Sequence, residues 1–323
     1  MHVLNGIPDI TSLKNNSGLR YLDFRKKLKP AYYKVWIDML FCFLMMFLPV
    51  LLFSVFANHS IATYVLVPLC ALWSAFWIQA YNLFFHESAH FNIHDNKNIN
   101  DMISNIVFTP FFGVLVKSYR LSHWEHHKHL GSAKDTEISY MTAVSLSNAL
   151  QMVLGIYHVK MILKYFKNFK SVGSKINRNS RSSIFLFTLL IAVFFQFSIS
   201  YLMLMYVSTA ACLSWIIAYF FLYPMISNLR QTLEHRPTDL HQSFTTTDSR
   251  AVNRIFGTDF FSKYFGAAGF NRHLLHHYDP LISYTNFNEL ESFLKDTQVA
   301  EKVSSTRSTY PEVFKIILKR KTI

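Results

Sequence analysis

Two long stretches of this chain carry no charge. Residues 39–86 and 182–229 contain no Asp, Glu, Lys or Arg and are dominated by apolar side chains. A bilayer crossing takes about 20 apolar residues, so each stretch has room for two crossings and a tight turn. The pattern predicts two helical hairpins, roughly 38–57 with 61–85 and roughly 184–205 with 207–227. Their turns fall around Asn58-His59-Ser60 and around Ser208.

Shorter apolar segments lie between and after the hairpins. Residues 99–116 are apolar but broken by Pro110 and Gly113, which predicts an interfacial or re-entrant segment rather than a crossing. Residues 144–166 are modestly amphipathic and predict a helix on the membrane surface. Residues 167–182 read as a polar loop and 236–262 as mixed. The chain divides into a basic, interfacial lead-in (1–37), a membrane domain (38–290) and a tail of one or two short helices (291–323). The lead-in places Tyr32, Tyr33 and Trp36 where the first helix meets the interface, the level of aromatic belts. The fold class expected is an all-α membrane protein with four transmembrane helices under a helical cap.

Composition supports this division. The apolar fraction is 51%, with 31 Phe and 16% charged residues, which excludes an ordinary soluble protein. Cys42, Cys70 and Cys212 lie inside apolar spans and read as small buried residues, not as disulfide partners. The first apolar run starts too late and is too long for a secretory signal peptide. All 32 Lys and Arg lie outside the hairpins, which by the positive-inside rule puts both termini and the middle segment in the cytoplasm. The net charge of +13 is then a basic face against anionic lipid head groups, and no nucleic-acid motif accompanies it.

Histidine supplies the candidate chemistry. Nine histidines form four groups just outside membrane ends: HESAH (His86, His90), HWEHH (His123, His126, His127), LEH (His235) and HLLHH (His273, His276, His277). Neutral imidazole suits Fe, Zn and Cu. Nine are too many for one ion and would suit two adjacent metals. His86 and His90 share a helix face, and each HxxHH triplet at i, i+3 and i+4 would form one compact patch. HESAH also matches HExxH, the zinc-protease signature, with Glu87 as general base. That reading leaves seven clustered histidines unexplained.

The constellation resembles the membrane fatty acid desaturase family, which includes related hydroxylases and ketolases. The resemblance covers about residues 36–290 and rests on HESAH, HWEHHKHLGSAKDTE, QTLEH and NRHLLHHYDP, in that order. It implies a mushroom-like bundle of four helices under a cytoplasmic cap that holds two non-haem irons. Carried over by position, the implied ligands are His86, His90, His123, His126, His127, His235, His273, His276 and His277. Gln231 falls where some relatives place an amide near the metal. His94 and His129 are left outside the ligand set, and His2, His59, His158 and His241 look unrelated.

Metal-bound histidine usually donates its other N–H to a carboxylate or carbonyl. Glu87, Glu125, Glu234, Asp135 and Glu137 lie beside the boxes and are the candidates for that part, with Arg230 a partner for one of them. The implied activity is O2-dependent desaturation of a fatty acyl chain presented as lipid, acyl-CoA or acyl-carrier thioester. A hydroxylase or ketolase acting on an acyl lipid, carotenoid or hydrocarbon, and a membrane zinc protease, are the alternatives. The family's fused-haem motif HPGG is absent, so a separate ferredoxin or cytochrome is the expected donor, steered to the basic face. The expected membrane is a bacterial inner membrane, or endoplasmic reticulum in a eukaryote.

Overall fold

The computed structural model describes residues 9–55, 61–132, 134–141, 146–154, 156, 160, 178–238 and 251–319. The turn at 58–60, most of the segment 144–166, the loop 167–177, and His2, His59, His158 and His241 lie outside the described residues. The described residues are mostly helical, without a named strand.

Four helices are long and apolar enough to cross a membrane: Tyr32–Val55, Thr63–Ala89, Ser183–Tyr206 and Thr209–His235. The first, third and fourth lean on apolar faces that stay exposed, such as Leu44, Leu51, Phe194, Phe197 and Leu202, as expected of surfaces solvated by lipid. The second span is the central one. It packs against the first and fourth spans and is the most buried of the four.

Several polar groups inside the spans find partners there. Pro49 has no N–H, so the carbonyl of Met45 loses its helical partner. The Trp73 indole Nε1 donates to it at 2.8 Å, and Ser74 Oγ donates to the Met46 carbonyl at 2.8 Å. Between the third and fourth spans, Trp215 Nε1 donates to Gln196 Oε1 at 3.0 Å. Ser208 caps the fourth span, accepting from Ala211 N at 3.1 Å, so the expected turn at Ser208 is present. The fourth span includes a π-helical turn at Ala218–Leu222, where the Tyr219 hydroxyl donates to the Phe111 carbonyl.

The second and fourth spans run further than their uncharged stretches. The second continues through Glu87 to Ala89, and the fourth through Arg230 and Glu234 to His235. Hydropathy locates only the part facing lipid. These last turns are buried by protein, so their polar residues need not be apolar to stay helical.

Residues 97–129 form two helices, Lys97–Phe112 and Val116–His129, bent by 85°. Asn96 caps the first through Asn98 N and Ile99 N. Gly113 ends it in the left-handed conformation that closes many helices. Close packing holds the corner: the Thr188 hydroxyl donates to the Gly113 carbonyl at 2.8 Å, and a Cβ at Gly113 would lie 3.3 Å from Ala192 Cβ. Lys97–Phe112 packs on the third span, and Val116–His129 lies over the end of the second.

The C-terminal region is more ordered than one or two short helices. It includes Phe287–Lys295, Ala300–Ser305 and Tyr310–Lys319, and position 290 falls inside the first of these. A second core joins it to the lead-in. Ile10, Leu13 and Tyr21 pack with Leu274, Leu275, Leu290 and Phe293, and the Tyr21 hydroxyl donates to Asp279 Oδ2 at 2.8 Å. The lead-in therefore buttresses the back of the helix His273–Tyr278.

Candidate metal centre

Three helix ends and one short helix bring the histidines together. His86 and His90 lie on and just beyond the last turn of the second span. His123, His126 and His127 lie on Val116–His129, His235 ends the fourth span, and His273, His276 and His277 lie on His273–Tyr278. All nine are buried or half-buried.

Their nitrogens converge as two groups. His86, His90, His123, His127 and His276 have donor atoms all within 4.8 Å of one another, and so do His126, His235 and His277. His273 joins the second group, its Nε2 lying 2.9 Å from that of His235 and 3.1 Å from that of His277. The groups adjoin, with the rings of His127 and His277 4.5 Å apart. Each HxxHH triplet is therefore divided, not one patch as its spacing suggests. His123 and His127 face one group and His126 the other; His276 faces the first while His273 and His277 face the second.

The donor set fits metal ions. In the first group, Nε2 of His127 lies 2.9 Å from that of His123 and 3.0 Å from that of His276. Two nitrogens at right angles around an ion, each ~2.1 Å from it, lie ~3.0 Å apart. Both ring nitrogens of His86 and His90 are buried without a hydrogen-bond partner. Burying unpartnered polar atoms is costly, and a shared cation offsets that cost. At three of the rings the neutral state it requires is favoured: burial, then the neighbouring imidazoles, hold His127, His276 and His277 well below the usual histidine range. At His126, by contrast, burial is outweighed by the Glu137 and Asp135 carboxylates, which hold it above that range.

The rear nitrogens of several rings have oriented partners. His123 Nδ1 donates to Glu137 Oε1 at 2.7 Å and His126 Nδ1 to Asp135 Oδ1 at 2.8 Å. His235 Nδ1 donates to the Val252 carbonyl at 3.2 Å. These bonds leave each Nε2 free to point inward. Burial pushes the Asp135 and Glu137 carboxyls up, but the histidines and hydrogen bonds outweigh it and hold both below the usual range.

The other sequence candidates sit differently. Gln231 is one layer back, its amide donating to Glu137 Oε2 at 3.0 Å. Glu87 lies 3.6 Å from His86 Nδ1, too long for a hydrogen bond, and accepts from Asn92 Nδ2 at 3.1 Å. Among the acids open to Arg230, Glu234 is the one it binds; Glu234 also accepts from the Tyr310 hydroxyl at 3.4 Å and lies 3.9 Å from His273. Glu125 is on the outer face of its helix, paired with Lys128 at 3.0 Å and His129 at 3.4 Å, not with a clustered histidine. Among the described residues, His94 and His129 belong to neither group.

Several supports of the centre carry no signal in the sequence. The Tyr140 hydroxyl binds Asp135 Oδ2, a link that the 135–140 spacing does not announce. Phe270 walls the centre, its ring 4.4 Å from that of His86 and 4.7 Å from that of His273, with Arg230 4.5 Å above it. Gly269 sets that ring from a left-handed φ of 83°, and a Cβ there would overlap Tyr284 and the Phe287 ring. Gly269→Ala is expected to cost about 2–4 kcal/mol through strain and overpacking. Thermal unfolding in detergent checks this; an unchanged Tm would show that the turn relaxes freely.

Comparison with known proteins gives one result. The family model for fatty acid desaturase matches residues 60–309, more than half of the chain. Neither the curated proteins nor the solved structures gave a match.

Proposed function

Because the chain belongs to the fatty acid desaturase family, we propose that it is an O2-dependent, di-iron membrane desaturase that introduces a double bond into a fatty acyl chain. One observation carries the metal count: nine imidazoles converge as adjoining groups of five and four. Five donors exceed the four of a structural zinc. The protease reading has no support beyond the HExxH pattern, since Glu87 is buried and bound to Asn92 within a multi-histidine cluster.

In this reading the five histidines around His276 hold one iron and the four around His235 the other. Asp135, Glu137 and the Val252 carbonyl fix the tautomers of His126, His123 and His235. Bound iron supplies the O2-derived oxidising power that breaks an unactivated C–H bond. The neutral imidazole set limits negative charge at the centre. Phe270 and the buried ends of the second and fourth spans exclude water and help position one methylene beside the histidines. O2 takes two electrons from a separate ferredoxin or cytochrome and two from the acyl chain. With two protons from water joining the two hydrogens lost by the chain, the products are an alkene and two waters. The centre and both termini face the cytoplasm, where the basic surface receives the donor.

The test is mass spectrometry of total lipids from a host expressing the chain, against a His126→Ala control. Acyl species lighter by two hydrogens, absent from the control, are expected. A gain of one oxygen would instead assign the hydroxylase chemistry of the same scaffold. Identical lipids with and without the chain, donor supplied, would refute the assignment.

A further inference from the structure

Two arginines, Arg120 half-buried and Arg254 buried, hold the two helix ends that deliver histidines to the centre. The last carbonyls of a helix have no intrahelical partner. At the end of the second span, Arg120 Nε donates to the Ala89 carbonyl at 2.7 Å and Nη2 to the Ser88 carbonyl at 3.2 Å. The same guanidinium binds Asp101, with Nη1 2.9 Å from Oδ2, and stacks 3.8 Å over the Phe91 ring. Phe91 is in the left-handed conformation, φ 62°, where the chain turns out of the helix. Asp101 lies on Lys97–Phe112, and Arg120 lies on Val116–His129, one turn before His123. One side chain thus fixes the end bearing His86 and His90 against both limbs of the bent pair.

The fourth span ends the same way. Arg254 Nη1 donates to the carbonyls of Leu233 at 2.7 Å and Glu234 at 3.3 Å, and Nη2 to that of Arg236 at 2.6 Å. Its own carbonyl accepts from Leu274 N at 3.1 Å. This residue ties the end bearing His235 to the start of the helix bearing His273, His276 and His277, next to His273 of the four-histidine group. A cation at a helix C-terminus also complements the negative end of the dipole. Lysine cannot replace either arginine, because only the planar fork reaches several acceptors at fixed angles.

We infer that Arg120 and Arg254 are positioning residues with separate charges, Arg120 setting the five-histidine group and Arg254 the four-histidine group. The inference rests on the dinuclear reading above. Neither side chain is a ligand, as guanidinium offers no acceptor. Each acts by holding the backbone from which ligands project.

The test uses the detergent-solubilised full chain, stripped and reloaded anaerobically with Fe2+, with iron content followed during chelator titration. The wild type should retain two irons. In Arg120→Lys one of them should be held ~10–100-fold more weakly, the usual cost of losing an outer partner of a metal site. Adding His235→Ala to Arg120→Lys should remove the remaining tight iron, whereas adding His127→Ala should not. Arg254→Lys should show the reverse dependence. Asp101→Asn removes the charge and one of the two acceptors that hold the guanidinium, without touching a helix carbonyl, and should repeat the Arg120→Lys pattern in weaker form. It decides the matter if Arg120→Lys does not fold. Two irons held as tightly as in the wild type would overturn the inference. So would loss of both together from a variant that still elutes as one sharp species. A wild-type content below two would refute the dinuclear reading itself.

Discussion

His276→Ala is expected to abolish double-bond formation and to leave the chain with one tightly held iron instead of two. The side chain sits where the five-histidine group is most crowded. Its Nε2 is 3.0 Å from that of His127, and its ring lies 4.5 Å from that of His86 and 4.7 Å from that of His90. Removing it deletes a donor and opens a gap beside Phe270, whose ring it stacks against at 5.8 Å. Losing an outer partner typically costs 10–100-fold in metal affinity, so losing a ligand should exceed ~100-fold in activity. Iron analysis and acyl-lipid mass spectrometry on membrane-inserted protein check this together. Full desaturation by the variant would remove His276 from the ligand set. Loss of activity with two irons retained would place its role in the substrate path.

Asp135→Asn is expected to lower iron affinity at the four-histidine group, and with it activity, by ~10–100-fold. All the acceptor capacity of Asp135 is committed. Oδ1 accepts from His126 Nδ1 and from Glu137 N, both at 2.8 Å. Oδ2 accepts from Gly131 N at 3.1 Å and from the Tyr140 hydroxyl. An amide has one donor end, and either orientation sets it against an N–H. Facing His126, it forces the proton to Nε2, the nitrogen that points at the metal. Facing Gly131, it sets its NH2 against that N–H, which then keeps only its bond to the Tyr140 hydroxyl at 2.8 Å. The five-histidine group should keep its iron, because His126 belongs to the other group. A chelator titration that matches the wild type would show that Asp135 does not set the His126 tautomer.

The histidine boxes were legible as pattern. Metal chemistry needs particular side chains, and nine histidines in four groups stand out against a chain poor in charge. The spans were legible because lipid accepts few polar residues over that length. What stayed hidden were partners whose contribution is an atom common to every residue, such as the Val252 carbonyl. Also hidden were side chains brought in from afar, such as Tyr310 on Glu234 and Arg254 on the end of the fourth span. Glu125 and Glu137 looked alike beside the second box. Helix direction separates them: Glu125 turns to Lys128 and His129, while Glu137, past the helix end, folds back onto His123.

The sequence by itself determined the four apolar spans, the inventory of nine histidines and the family they announce, because each depends on composition and order within a few residues. Only the tertiary structure decided how those histidines are partitioned. Spacing of i, i+3 and i+4 places three rings on one helix face, yet neighbouring rings on that face diverge enough to join different histidine groups. Which ring joins which group depends on how Val116–His129 and His273–Tyr278 meet between the ends of the second and fourth spans. That meeting is set by the 85° bend, the left-handed turns at Phe91 and Gly269, and the two arginines that hold the helix ends. These are contacts between distant parts of the chain, which local periodicity does not encode.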